Sequence, residues 1–403
     1  MTEPGDVAPR HPCDTVEAPV VLLVNDDYHF VASVRAEAAA LGGRLVLAVA
    51  EPGEALTLLL GSTWFSHVIL PAAMPAEALC DLVSLTAGEP DSGATAVLIG
   101  EGADEARDIP GWRQVMAVPR PTRGWLAAVL DRSSSHRTRS KKLLPLADLL
   151  ATLDAGRLYC RYQPLVEMAS GQPAAFEILA RLDHPAFGMV TPDRFVPALE
   201  KAGHALRLAE MVAERAFGDV RDGRLDLCGT ALGLNLPLDV LQHPCIAERL
   251  EAWRSGTGLP AERIAVELTE SYPVVDPERL RPVVQRLRAA GYRLSIDDVG
   301  AGTHNYEALL SLPFVSVKLD KELVHASATD SEAMALAERI IDRARRHGCR
   351  TIAEGVETAA DWKRMAGIGV DWAQGFLVAR PLTARVAALW YRDWCRRMQP
   401  ERN

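Results

Sequence analysis

The chain has 403 residues, 48% hydrophobic and 24% charged, with 44 Lys and Arg against 53 Asp and Glu. That length and balance suit two globular domains and exclude collagen-like, coiled-coil and wholly disordered classes. A net charge of -9 and an isoelectric point near 5.7 leave no basic excess for sequence-independent nucleic-acid binding.

Residues 1–18 carry Pro, Asp, Glu and His without an apolar core, so they read as a disordered tail and not as a signal peptide. No later run of about 18 apolar residues is long enough to cross a bilayer. The seven cysteines (Cys13, Cys80, Cys160, Cys228, Cys245, Cys349, Cys395) are odd in number, scattered and without a Cys-x-x-Cys pair. This disfavours a disulfide framework or thiolate zinc site and points to a reducing, cytoplasmic compartment.

Order begins at Val20, where the apolar run Val20 to Val24 ends in Asn25-Asp26-Asp27 and a helical, Ala- and Leu-rich pattern follows. Strand-like runs recur at Leu45 to Val49, Val68 to Leu70, Ala96 to Ile99 and Val115 to Val118, with helical stretches between. Residues 19–130 therefore predict a doubly wound, flavodoxin-like α/β domain. Its length and order resemble a response-regulator receiver. In that family an acid cluster after the first strand binds magnesium, an Asp after the third accepts phosphate, a hydroxyl residue follows the fourth and a Lys-Pro the fifth. Here Pro71 stands at the phosphoacceptor position, Gly100 replaces the hydroxyl and Arg120 replaces the lysine, leaving Asn25, Asp26 and Asp27 of the usual set. Proline cannot be phosphorylated, so the expectation is a degenerate receiver that dimerises or docks a partner without phosphotransfer. Asp26 and Asp27 read equally as magnesium ligands or as leftover acids at a strand end.

Residues 131–143 are serine-rich, polar and basic, which predicts a solvated linker. From 144 to 400 short apolar strands alternate with longer helical segments, and polar side chains recur at the strand ends: Glu177, Asn235, Glu267, Asp297 with Asp298, Lys318, Glu354 and Gln374. Seven such strands predict a (β/α)8-type, TIM-like barrel, in which strand C-termini open on one face and their side chains converge. The Asp297-Asp298 pair before Gly300 reads as a site for divalent cations. Acids before glycine are also ordinary turn and capping chemistry. Ala384 to Met398, with Trp390, Tyr391 and Trp394 at near-helical spacing, predicts a helix that packs its aromatics.

From about Cys160 to Leu382 the chain resembles an EAL domain, the bacterial cyclic di-GMP phosphodiesterase family. The matching residues are Tyr162-Gln163-Pro164, Glu177-x-Leu179-x-Arg181, His184-Pro185, Asn235-Leu236, Glu267-Leu-Thr-Glu270-Ser271, Asp297-Asp298, Lys318-x-Asp320, Ala353-Glu354-Gly-Val-Glu-Thr358 and Gln374-Gly-Phe with Arg380-Pro381. The resemblance implies hydrolysis of cyclic di-GMP to linear pGpG with two Mg2+ or Mn2+ ions per active site. It implies metal ligation by Glu177, Asn235, Glu267, Asp297, Asp298 and Glu354. Lys318, its ammonium outward, would orient water; Glu177, Glu354 and Gln374 would complete the catalytic set. Substrate would meet Gln163, Leu179, Arg181 and Pro381, and Glu270 would tie down the loop after Asp298. A homodimer, a protein partner for the receiver-like domain, no membrane and no direct nucleic-acid binding complete these expectations. Where the family usually continues Phe-Gly-Thr-Gly-Tyr-Ser-Ser, this chain has Val299-Gly-Ala-Gly-Thr-His-Asn305, which keeps open the alternative of a weak or inactive cyclic di-GMP receptor. His184 and His304 are not counted as ligands.

Overall fold

The computed structural model describes residues 21–41, 46–60, 65–86, 94–103, 115–119, 121–122, 124–135, 144–269, 277–300 and 306–398. The expected N-terminal tail and Glu270, Arg120 and His304 lie outside them. Two compact units result, one of Tyr159–Ala180 with the chain from Val196 onward, the other of the residues before Tyr159 with Arg181–Phe195.

The first strands and helices are β1 (Val21–Val24), α1 (Tyr28–Ala40), β2 (Val46–Val49), α2 (Pro52–Leu60), β3 (His67–Pro71), α3 (Ala76–Thr86), β4 (Thr95–Ile99), β5 (Met116–Val118) and α4 (Trp125–Ser135). Every strand pair is parallel, in the order β2-β1-β3-β4-β5. This is the flavodoxin-like order that the sequence predicts. Alternation along each strand feeds two cores: Leu22, Val68, Leu70 and Leu98 pack with α2 and α3 residues, whereas Val21, Leu23, Ile69 and Val97 pack with α1 and α4 residues. On the second face Phe30 stacks on Trp125, ring centroids 6.3 Å apart. Helix α4 continues through Ser135, into the stretch that the sequence assigns to the linker. Leu126, Val129 and Leu130 anchor its buried face, and backbone hydrogen bonding carries the helix past them.

After α5 (Leu146–Asp154) come β6 (Leu158–Glu167), β7 (Pro173–His184), β8 (Gly188–Val190), α6 (Val196–Lys201), α7 (Ala205–Arg221), β9 (Ala231–Pro237), α8 (Leu238–Leu241) and α9 (Ile246–Arg254). Then follow β10 (Ile264–Thr269), α10 (Arg281–Ala289), β11 (Arg293–Val299), α11 (Tyr306–Leu310), β12 (Ser316–Leu319), α12 (Lys321–Ala326), α13 (Ser331–Arg346), β13 (Arg350–Ala353), α14 (Ala359–Gly367), β14 (Trp372–Ala373) and α15 (Ala384–Met398). The strands order as β6-β14-β13-β12-β11-β10-β9-β7-β8, and β6 also pairs with β7, which closes an eight-stranded barrel with β8 hairpinned onto its rim.

Seven of these strands are the predicted ones. The eighth is β6, which runs antiparallel to β14, so that its terminal acid, Glu167, lies at the turn into β7 and not at the ends of the seven predicted strands. It turns directly into β7, with Glu167 N–H donating to the Gln172 carbonyl at 2.9 Å, so no helix separates the two strands. Helix α15 spans the predicted residues; Trp390 and Trp394 are buried and stack 5.3 Å apart, and Trp394 Nε1 donates to the Gly171 carbonyl at 2.7 Å. Among the described residues no helix is long and apolar enough to cross a membrane.

Candidate active site

Parallel strands bring their C-terminal ends to one face, and there the barrel gathers its charged side chains. Lys318 on β12 is fully buried. Its Nζ lies 2.6 Å from Glu354 Oε1, 2.9 Å from Glu267 Oε2, 3.1 Å from Asp297 Oδ1 and 3.3 Å from Glu177 Oε2. The outward ammonium that the sequence suggests is thus corrected: four carboxylates draw it inside, where hydrogen bonds replace its hydration shell.

Two amides fix Glu177. Asn235 Nδ2 donates to Glu177 Oε1 at 2.7 Å, and Gln374 Nε2 donates to Glu177 Oε2 at 2.6 Å. Gln374 Nε2 also lies 3.3 Å from Gln163 Oε1, and Gln163 Nε2 donates to the Ala379 carbonyl at 3.2 Å. Glu267 and Asn235 are register partners across β10 and β9. Glu177 is the register partner of Gly233. A Cβ at Gly233 would stand 2.2 Å from Glu267 Oε1, so hydrogen is the only side chain that leaves Glu267 in place.

Adjacent residues of a regular strand point to opposite faces, yet Asp297 and Asp298 serve one cluster. The reason is local. The register between β11 and β12 shifts between Ile296 and Val299, and Asp298 has φ of 53°. This bulge in the left-handed region, which aspartate tolerates better than most residues, turns the second carboxylate toward the first. Asp298 N–H donates to Asp297 Oδ1 at 2.9 Å.

Two groups of carboxylates could each hold a cation: Glu177, Glu267 and Asp297, and Asp297, Asp298 and Glu354, with the ligand atoms of each group within 4.8 Å of one another. Asp297 belongs to both. The donor set is hard oxygen throughout, which suits magnesium or manganese. Asn235 Oδ1 and Gln374 Oε1 are buried and make no hydrogen bond, and an oxygen of either kind is a ready cation ligand. The residues present therefore fit divalent cations.

The electrostatics agree. Burial pushes the Glu267 carboxyl up to about 8, beyond what the attraction of Lys318 recovers. Burial also raises Glu354 well above the usual carboxylate range and raises Asp297, again against the pull of Lys318. Glu177 goes the other way: its burial is outweighed by Lys318 together with the Asn235 and Gln374 donors. Lys318 is held well above its ordinary value, since four carboxylates overcome the cost of its burial. One ammonium among this many acids leaves an excess of negative charge that only protons or cations can offset.

Other predicted residues lie outside this cluster. Arg181 and Leu179 follow Glu177 on β7, Arg181 buried and Leu179 half-buried. Pro381 is buried beside the bridge between Tyr162 and Leu382. His184 Nδ1 accepts from Ala186 N–H at 3.1 Å, a turn contact. In the N-terminal sheet, Asp27 Oδ1 caps α1 by accepting from His29 and Phe30 N–H, while Asn25 Oδ1 accepts from Asp27 N–H at 2.8 Å. Asp26 follows Asn25 between β1 and α1, Pro71 closes β3, and Gly100 follows β4 with φ of 98°. The sequence reading gave no role to Gly233 or to Asp320. Asp320 is buried just past Lys318, with one carboxylate oxygen unbonded. Its place in the Lys318-x-Asp320 spacing was the available signal.

The EAL domain family profile matches residues 146–381. The chain is 31% identical over 256 residues to the bifunctional diguanylate cyclase/cyclic di-GMP phosphodiesterase MucR of Pseudomonas aeruginosa, covering 62% of this chain and 37% of MucR. It is 30% identical over 269 residues to the cyclic di-GMP phosphodiesterase RocR of the same organism, covering 64% of this chain and 67% of RocR. The chain thus spans little more than a third of MucR. A solved structure described as the PaMucR phosphodiesterase in complex with c-di-GMP superposes with a TM-score of 0.55 at 30% identity, over 59% of this chain and 97% of that one.

Proposed function

The chain belongs to the EAL-domain family, and from that premise we propose that it hydrolyses cyclic di-GMP to linear pGpG. The observation that carries this reading is the buried Lys318 ammonium among Glu177, Glu267, Asp297 and Glu354, flanked by two orphaned amide oxygens. Such a concentration of acid is costly to fold and is repaid by chemistry at the site.

Glu177, Asn235, Glu267 and Asp297 would hold one Mg2+ or Mn2+, and Asp297, Asp298 and Glu354 the other. Bound there, the ions supply Lewis-acid activation of water and charge compensation at phosphorus. Lys318 orients the attacking water and offsets negative charge on the phosphate. Gln374 keeps Glu177 in its orientation, and Glu354 faces the water across the Lys318 ammonium. Arg181 pairs with a substrate phosphate, while Gln163, Leu179 and Pro381 bound the base. The water oxygen forms the new bond to phosphorus, the 3′ oxygen leaves with a proton, and a single cleavage opens the ring to pGpG. The receiver-like region acts without phosphotransfer, as a dimerising or partner-docking module in a cytoplasmic homodimer.

The test is turnover of cyclic di-GMP with excess magnesium or manganese, resolved by chromatography beside Glu177→Ala. Product pGpG that vanishes in the variant supports the enzyme. The altered sequence Val299-Gly-Ala-Gly-Thr-His-Asn305 favours a second reading, a cyclic di-GMP receptor. Binding by both proteins without product from either would select it.

A further inference from the structure

Helix α12 begins directly after Asp320 and packs against two glycines, Gly300 just past Asp298 and Gly355 immediately past Glu354. Both glycines have positive φ, 121° and 63°, and both approach the helix too closely to carry a side chain. A Cβ at Gly300 would stand 2.6 Å from Leu323 Cδ2; one at Gly355 would stand 2.6 Å from Lys321 Cβ and 3.3 Å from His325 Nε2. Two loops that each carry an acid of the cluster thus rest on one short helix. At Gly355 the contact is also polar. His325 Nε2 lies 2.8 Å from the Gly355 carbonyl oxygen, and since a carbonyl only accepts, the ring nitrogen donates. Arg364 fastens the far end of α12: its Nη2 donates to the Val324 carbonyl at 3.0 Å and its Nε to Ser327 Oγ at 3.1 Å. The same guanidinium meets Asp361 Oδ1 at 2.5 Å, and Asp361 closes the capping box of α14 with Thr358. The stretch from Glu354 to Thr358 is therefore tied to α12 at its start by His325 and at its finish through Arg364.

We propose that His325 is a positioning residue for one of the two cations: its hydrogen bond to the Gly355 carbonyl fixes the backbone at Glu354 and so aims that carboxylate at Asp297 and Asp298. The proposal rests on the reading of these three acids as cation ligands. Glu354 needs such a restraint, because β13 ends at Ala353 and the sheet no longer sets the direction of the residue that follows. Glu354 N–H still donates to the Leu319 carbonyl at 3.1 Å, and Val356 N–H donates to the Gln374 carbonyl at 3.0 Å. Between these fixed points stands Gly355, the residue with the freest backbone, and His325 holds it. Packing gives no reason for an imidazole there: Leu323 and Val324 supply the buried face of α12, whereas His325 is exposed. The other acid group, Glu177, Glu267 and Asp297, has no residue in the 354–358 stretch, so the restraint acts on one ion and not on both.

The test is Mn2+ uptake by the full chain without substrate, followed by loss of the electron paramagnetic resonance signal of the free ion. The parent should take up two ions. His325→Ala should weaken one of them by about tenfold, the lower end of the loss seen when a hydrogen-bond partner behind a metal ligand is removed, and should leave the other unchanged. His325→Gln, whose amide can donate to the same carbonyl, should restore most of that loss, which a general effect of the alanine on α12 would not allow. Asp298→Asn should weaken the same ion, so that the double variant with His325→Ala still holds the other. His325 is exposed, so the variants should fold, as far-ultraviolet circular dichroism will check. Unaltered uptake in His325→Ala, equal weakening of both ions, or a glutamine variant as poor as the alanine one would overturn the proposal. A parent that takes up fewer than two ions would instead remove the two-cation reading, and this proposal with it.

Discussion

The two sheets of this molecule share a logic and differ in outcome. Both are built mainly from parallel strands, and the C-terminal ends of such strands are the position at which α/β folds place their sites. In the barrel the polar residues at those ends meet one another: Lys318 touches four carboxylates, and Asn235 and Gln374 spend their N–H groups on Glu177 and keep their oxygens unbonded. In the N-terminal sheet the corresponding residues meet their own backbone. Asp27 caps α1, Asn25 closes a turn onto Asp27, and Pro71 and Gly100 bring no side-chain donor or acceptor at all. A strand end is therefore only an opportunity for chemistry. What marks a site is polar capacity that the fold leaves unspent in a buried place.

The largest effects should come from breaking the barrel's side of that contrast. Asp297→Asn removes the one carboxylate common to both acid groups and should lower cyclic di-GMP turnover by roughly a thousandfold. Turnover within tenfold of the parent would sink the two-cation reading. Lys318→Met leaves the acids without their ammonium, and a buried charge stripped of its partner costs about 3–5 kcal/mol. Urea unfolding in chelator should show that loss, and excess magnesium should restore part of it. An unchanged midpoint in chelator would mean that the acids are already neutral without Lys318. Gly233→Ala is subtler: the new methyl displaces Glu267 without removing it, and misplaced site groups typically lose about 10–100-fold in activity. A variant that retains full turnover would show that Glu267 can shift at no cost.

Much of this was legible in the sequence, and the remainder was hidden for physical reasons. The five strands of the N-terminal sheet and the acid-tipped strands of the barrel follow from short apolar runs that end in polar residues, which periodicity reports directly. Strand β6 escaped that signal, because Arg161, Gln163 and Pro164 interrupt its apolar run, and its direction is set by a turn at residues 167–172. The side-chain period could place Asp297 inward but not Asp298, since the bulge that recruits the second acid depends on its register against β12. Lys318 was readable as a site residue, whereas its burial was not: four acids spread along the chain must first converge before the ammonium has reason to leave water.

The smaller effects belong to the N-terminal sheet. Acetyl phosphate should leave no stable aspartyl phosphate on this region by intact-mass spectrometry, because Pro71 offers no acceptor; a stoichiometric phosphoryl adduct on Asp26 or Asp27 would overturn its reading as a degenerate receiver. Asp81 provides the mildest test. It sits buried on α3 within the described N-terminal unit, and burial pushes its carboxyl up from the ordinary value to about 6. An acid raised on folding favours the folded state while protonated, so that contribution is full below the unfolded value near 3.8 and fades as pH rises through about 6. Asp81→Asn mimics the protonated form at every pH. It should therefore leave the melting temperature unchanged at pH 4 and raise it at pH 8 by a few degrees, about 2–4 °C for each kcal/mol gained. Equal effects at both pH values would show that the carboxylate is stabilised by the neighbours it already has.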